Sequence, residues 1–252
     1  MLHHIRYLCI LALLLLSSTT AQGSDTGKTG HKLFTAILAD HVDRGVVDYP
    51  AIRNDRRFHD YLKMLRTIDP ASLSGAEKLA FWLNVYNAST IRIVCDHLPL
   101  KSIRDVPDVW DAKLVHVKGR SLSLNEVEHD IIRPLGDPRI HMALVCAARS
   151  CPPLRSEAYE AGKLDAQLDD QVRRFMADGN LNVIDVAGRR ARLSRIFDWY
   201  RKDFAGDDAG LLRYVAKYLP AETAAAIRTQ ATVFTVTYLD YDWSLNGRPA
   251  VR

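Results

Sequence analysis

An apolar run long enough to span a membrane is missing from these 252 residues: the longest, Tyr7 to Leu16, is ten residues, about half of the ~20 that a spanning helix needs. Cysteine is scarce, at 4, and no Cys-x-x-Cys pair occurs, which removes the usual frame for structural zinc. With 13 glycines and 10 prolines the chain is too poor in both for a fibrous repeat. Neither a Gly-x-Gly-x-x-Gly nor a Gly-x-x-x-x-Gly-Lys-[Ser/Thr] loop is present, so no nucleotide cradle is expected, and no cofactor or metal is called for. Charge of one sign is concentrated nowhere. The 34 Lys and Arg face 30 Asp and Glu for a net charge of +4. Arg56-Arg57, Arg173-Arg174 and Arg189-Arg190 are interleaved with acids, and nucleic acid is therefore excluded as a partner. What remains is a globular composition, 48% hydrophobic and 25% charged.

The short apolar run has its own meaning. It follows Arg6 and precedes Ser17-Ser18-Thr19-Thr20-Ala21, the pattern of a secretory signal peptide cleaved after Ala21. Residues 1–21 are read as that signal and 22–31 as a flexible leader, leaving 32–252 as one domain. A periplasmic or secreted location follows, with no stable membrane anchor after cleavage. Cys9 leaves with the signal, and Cys95, Cys146 and Cys151 stay. Cys95 reads as a small buried apolar residue. Cys146 and Cys151 are a turn apart and compatible with a disulfide in an oxidising compartment.

Periodicity supplies the elements. Helical spacing is seen over 31–44, 57–67, 164–176 and 211–219. A longer helix begins after Ser74, with Glu77 completing a capping-box pattern, and reaches about Leu98. Its apolar side chains point all round, so it is expected to be buried. Hairpins are predicted around Gly119 and Gly188, a short helix over 126–133 capped by Asn125, and strands over 140–145 and 231–238. The fold class expected is α+β: a single domain whose central buried helix packs on a small, mainly antiparallel sheet.

Several segments carry unusual residues for their positions: Phe81-Trp82-Leu83-Asn84-Val85-Tyr86-Asn87-Ala88, then Leu124 to Arg133, then His141-Met142-Ala143-Leu144-Val145-Cys146 running on to Ser150-Cys151-Pro152-Pro153-Leu154. Phe197-Asp198-Trp199-Tyr200 and Tyr241-Asp242-Trp243 follow them. Together they resemble the family called domain of unknown function 547, over about Val46 to Asn246. That resemblance implies no particular activity. A more distant, fold-level similarity links the central helix and the His-bearing strand to papain-like and transglutaminase-like thiol enzymes. Those enzymes place the nucleophilic Cys at the start of the central helix, where this chain has Trp82 or Asn84.

The residues themselves suggest a constellation. If 140–145 is a strand, His141 and Cys146 point to opposite faces, whereas Cys151 can fold back to the His face. Cys151 is then the nucleophile, His141 its base and Glu128 the group that orients the imidazole. Asn84 would donate to a developing oxyanion. Asn87, Cys146 and Arg133 are assigned to the binding face. Against this stands a reading in which each is structural: a Cys146–Cys151 disulfide, a satisfied core His141, Glu128 paired with Arg133 or Arg139, and asparagines tying the central helix to its loops. Trp82, Trp199 and Trp243 are expected in the core. The two functions left open are a cysteine-type hydrolase or acyl-transferase acting on amide or thioester bonds, and a non-catalytic module binding a peptide or small molecule.

Overall fold

Short helices with one apolar face make up the N-terminal part of the computed structural model, which describes residues 29–248. The expected signal peptide and the leader up to residue 28 lie outside those residues. Helix α1 (His31–His41) buries Phe34, Ile37 and Leu38. The chain then doubles back through a two-stranded hairpin, β1 (Val42–Asp43) and β2 (Val46–Val47). Its turn requires Gly45: φ is +85°, and a Cβ there would sit 2.5 Å from the Pro153 side chain. Helix α2 (Tyr49–Asn54) is capped by Asp48, and α3 (Arg56–Leu65) by Asp55. The periodicity over 57–67 anticipated α3, whereas nothing in the pattern marked α2, because a six-residue helix has too few turns to display a period.

Helix α4 (Gly75–Asp96) is the centre of the molecule, buried without a break from Leu79 to Ile91. Ser74 is its N-cap residue, although its side chain makes no capping bond. A hairpin follows, β3 (Val115–Val117) against β4 (Arg120–Leu122). Next comes a π-helical segment, Glu126–Ile132. Its cap is Ser123 rather than Asn125. Ser123 Oγ accepts the Glu126 N–H and Glu126 Oε2 accepts the Ser123 N–H, while Asn125 donates to Asp111.

The expected strand at 140–145 is a correction. Helix α5 (Ile140–Ala143) is a single turn, Leu144 after it is extended, and residues 144–146 belong to no strand. A six-residue stretch with five apolar residues and one histidine reads equally as a buried helix or a buried strand, and here the Asp137 side chain, accepting the Arg139 N–H, starts a helical turn. Alternation therefore no longer sets His141 against Cys146.

The remainder comprises α6 (Leu164–Ala177), β5 (Val183–Asp185), β6 (Arg190–Leu193), α7 (Ile196–Trp199), α8 (Arg201–Phe204), α9 (Asp208–Val215), α10 (Ala221–Gln230) and β7 (Thr235–Tyr238). Strand β6 pairs antiparallel with β5 and parallel with β7. The fold is α+β, with its sheets small and mostly antiparallel. Two apolar cores form within it, one around α1 to α4 and one around α6, α7, α9 and α10. Helix α5 joins them: Ile140 and Ala143 belong to the first and Met142 to the second. Among the described residues no helix is long and apolar enough to cross a membrane.

Candidate functional site

At the seam between the two cores a cavity of about 130 Å³ is lined by His141, Cys146, Cys151 and Glu128 together with aromatic rings. Three backbone decisions bring these groups together. The single turn α5 presents His141, buried against Tyr200 (ring centroids 3.8 Å apart) and edge-on to Phe204. The residues after α5 carry Cys146 to the same cavity. Ala147 then adopts a left-handed φ of 63°, and the chain reverses so that Cys151 returns to Cys146. The C-terminal segment pins this reversal, since Asn246 N–H donates to Ala147 O and Arg149 N–H to Ser244 O.

The two sulfurs are 3.1 Å apart and are free thiols, so the expected disulfide is not present. Their environments push them in opposite directions. Ionised Cys146 would receive hydrogen bonds from the Cys151 thiol, the Tyr241 hydroxyl and the Ala148 N–H, and these hold it below the ordinary thiol value despite burial. Burial raises Cys151, and the adjoining Cys146 raises it further. Tyr241, 3.3 Å from Cys146 Sγ, is itself raised by burial and the nearby thiols, so it keeps its proton to donate. Cys95, the third thiol, is pushed up to about 12 by burial. It donates to Tyr49 O, as its reading as a small core residue anticipated.

The imidazole is oriented by a residue that the sequence reading passed over. His141 Nε2 lies 2.7 Å from Asp203 Oδ2, and Arg133 holds both Asp203 oxygens at 2.9 Å. Those contacts, Arg133 first, lower Asp203 to about 2. An ionised carboxylate only accepts, so the shared proton sits on Nε2 and Nδ1 carries a lone pair. Nδ1 is buried and has no hydrogen-bond partner. Burial lowers His141 below its ordinary value, outweighing the opposing pull of Asp203, and the ring is neutral at neutral pH.

The other candidates fall into place around this. Glu128 lines the cavity but does not hold the ring, the position assigned to it; its charge, after burial, raises the Tyr200 hydroxyl above its ordinary value. Asn84 is committed to the Tyr159 backbone at 2.8 and 2.9 Å, and both its amide oxygen and its amide nitrogen are engaged away from the cavity. The oxyanion role is therefore withdrawn from it. Asn87 is likewise engaged, donating to Ala143 O and accepting from Val145 N–H, so it anchors the His141–Cys146 segment instead of binding a ligand. Arg133 positions Asp203. Trp82 is in the core as expected, whereas Trp199 is 48% exposed and stands with Trp243 at the cavity. Among the described residues no group of three or more His, Cys, Asp or Glu is placed to hold a metal ion.

Residues 70–176, which contain Asn84, Glu128, His141 and both cavity thiols, match the family described as Protein of unknown function, DUF547. Over that segment the chain is similar to the DUF547 family. No curated protein and no solved structure is significantly similar to it. The DUF547 match ends before Asp203, Tyr200 and Tyr241, so the C-terminal third completes a site that the matched segment begins. Asp203 left no signal in the sequence. It sits in Arg201-Lys202-Asp203-Phe204 on a four-residue helix, where an acid among basic residues reads as a solvated surface charge.

Proposed function

We propose that this protein is an exported cysteine-type hydrolase or acyl-transferase acting on amide or thioester bonds, with Cys146 as the nucleophile. One observation carries the reading: a thiol held below its ordinary value by its hydrogen-bond donors and a neutral imidazole with an unpartnered Nδ1 line one cavity. Activating a cysteine needs a lowered value and a base of this kind. Cys146 thus takes the role first given to Cys151, whose thiol donates to the Cys146 sulfur once that is ionised. His141 remains the base, and Asp203 replaces Glu128 behind it. The distant similarity to papain-like and transglutaminase-like thiol enzymes belongs to this proposal.

In the acylation step the Cys146 sulfur attacks the carbonyl carbon and forms an S–C bond. The C–N or C–S bond to the leaving group breaks. His141 Nδ1 accepts the thiol proton and returns it to the departing amine or thiol. Water, or an acceptor amine or hydroxyl, then attacks the acyl carbon and loses its proton to Nδ1; the S–C bond breaks and Nδ1 returns that proton to the Cys146 sulfur.

Incubation with S-phenyl thioacetate tests this directly. Thiophenol release is expected, with an acetyl adduct on Cys146 by mass spectrometry, and C146S is expected to lose both. An adduct shared evenly among the three cysteines, or none at all, would overturn the proposal.

A further inference from the structure

The cavity's walls are unusual in two ways that the thiol chemistry does not require. Six aromatic side chains line it, Tyr86, Trp110, Trp199, Tyr200, Tyr241 and Trp243. Around Trp243 the rings form a continuous wall, with centroid separations of 4.6 Å to Tyr241, 5.7 Å to Trp110 and 5.8 Å to Trp199. Trp199 is half exposed at this wall instead of buried, so the wall meets solvent. Among the described residues the only carboxylate in the lining is Glu128, which is 6% exposed, and no Lys or Arg lines the cavity.

The charges do not balance. Arg133, whose charge reaches Glu128, is bound to both oxygens of Asp203. Glu128 has no ion pair among the described residues, and His141 is neutral at neutral pH. A buried carboxylate with no cation in contact with it, facing a ring of π-electron-rich faces, is the make-up of an ammonium site. Two of these rings already carry guanidinium groups from outside the cavity, Arg104 5.3 Å over Trp243 and Arg133 5.4 Å over Tyr200.

We propose that the cavity binds a small ammonium group between the aromatic wall and Glu128, and that the substrate carries such a group close to its scissile carbonyl. The binding stands on the cavity itself; only calling the bound molecule a substrate rests on the thiol reading above. A volume of about 130 Å³ holds roughly four waters, which suits an alkylammonium head and not a nucleotide or a sugar chain. The arrangement also serves catalysis. Glu128 opposes ionisation of Cys146, so a cation seated on Glu128 favours the thiolate as the substrate arrives.

The test titrates the whole protein at neutral pH with n-butylammonium chloride, with 1-butanol at matched ionic strength as the neutral counterpart. Trp110, Trp199 and Trp243 report the binding by fluorescence. The amine is expected to give a saturable change at a concentration at least about tenfold below that of the alcohol. Glu128→Gln is expected to bring the amine to the level of the alcohol while leaving alcohol binding as it was, which also shows the cavity intact. Trp199→Ala should weaken the amine more than the alcohol. Equal binding of both probes, or an amine affinity unaffected by Glu128→Gln, overturns the inference. C146S separates the two proposals. It is expected to bind the amine normally, so an acyl adduct without amine selectivity defeats this inference alone, and amine selectivity without an adduct defeats only the thiol reading.

Discussion

Tyr241 and Cys151 each place a proton on one sulfur, and that asymmetry makes two neighbouring cysteines chemically different. A hydrogen bond to a charged group contributes about 1.5–3 kcal/mol, so Tyr241→Phe is expected to slow iodoacetamide alkylation of Cys146 at neutral pH by about tenfold or more. Cys151→Ser keeps a hydroxyl donor and should slow it less. Peptide mapping of the labelled cysteines gives the rates, and an unchanged Cys146 rate in Tyr241→Phe defeats the assignment. His141 gives a second handle. Because burial lowers it, the unfolded chain takes up the proton first as acid is added. Its contribution to stability is complete above about 6.5 and is lost as pH falls from there through the folded value. His116 is lowered too and acts in the same sense. The urea midpoint should therefore fall as pH drops through this window, and H141Q should flatten that fall beyond what H116Q achieves. Asp203 acts further down: its contribution is present above its ordinary value and lost as pH falls through about 2.

Helix α4 shows how an element can be read from sequence while its purpose is not. All-round apolarity foretold its burial, and the three-residue spacing put Asn84 and Asn87 near one face. Their partners are backbone groups some 56 to 75 residues away, and no local pattern encodes those. The same limit hid α5, whose mostly apolar stretch from Ile140 to Val145 fits a strand as well as a turn, and with it the shared cavity of His141 and Cys146. Both asparagines clamp a loop, so Asn84→Ala and Asn87→Ala should each lower stability by about 1–3 kcal/mol in urea unfolding. They should then diverge. Asn87 holds Ala143 and Val145, next to both reactive groups, and its loss should also slow Cys146 alkylation, whereas Asn84 holds only Tyr159 and its loss should not. Equal effects on alkylation would show that the clamp at Asn87 plays no part in shaping the site.

Across the whole molecule the site depends on two cores meeting correctly. Glu128 and Arg133 come from the side of α4, and Asp203, Tyr200 and Trp199 come with the helices of the second core. The Arg133–Asp203 pair bridges that seam, with side chains 32% and 26% exposed. A pair so placed should couple by about 1–2 kcal/mol, above the 0–1 of open surface pairs and below the 3–5 of a fully buried one. A double-mutant cycle of Arg133→Gln and Asp203→Asn in urea unfolding measures it. Function separates the two variants. Asparagine can present an N–H to Nε2, which moves the imidazole proton to Nδ1 and removes the base, so Asp203→Asn should cut kcat on a thioester substrate and leave KM nearly unchanged. Arg133→Gln keeps the carboxylate on Nε2 and should lose much less. If both variants lose kcat alike, the pair serves only to hold the cores together, and Asp203 has no part in setting which nitrogen of His141 carries the proton.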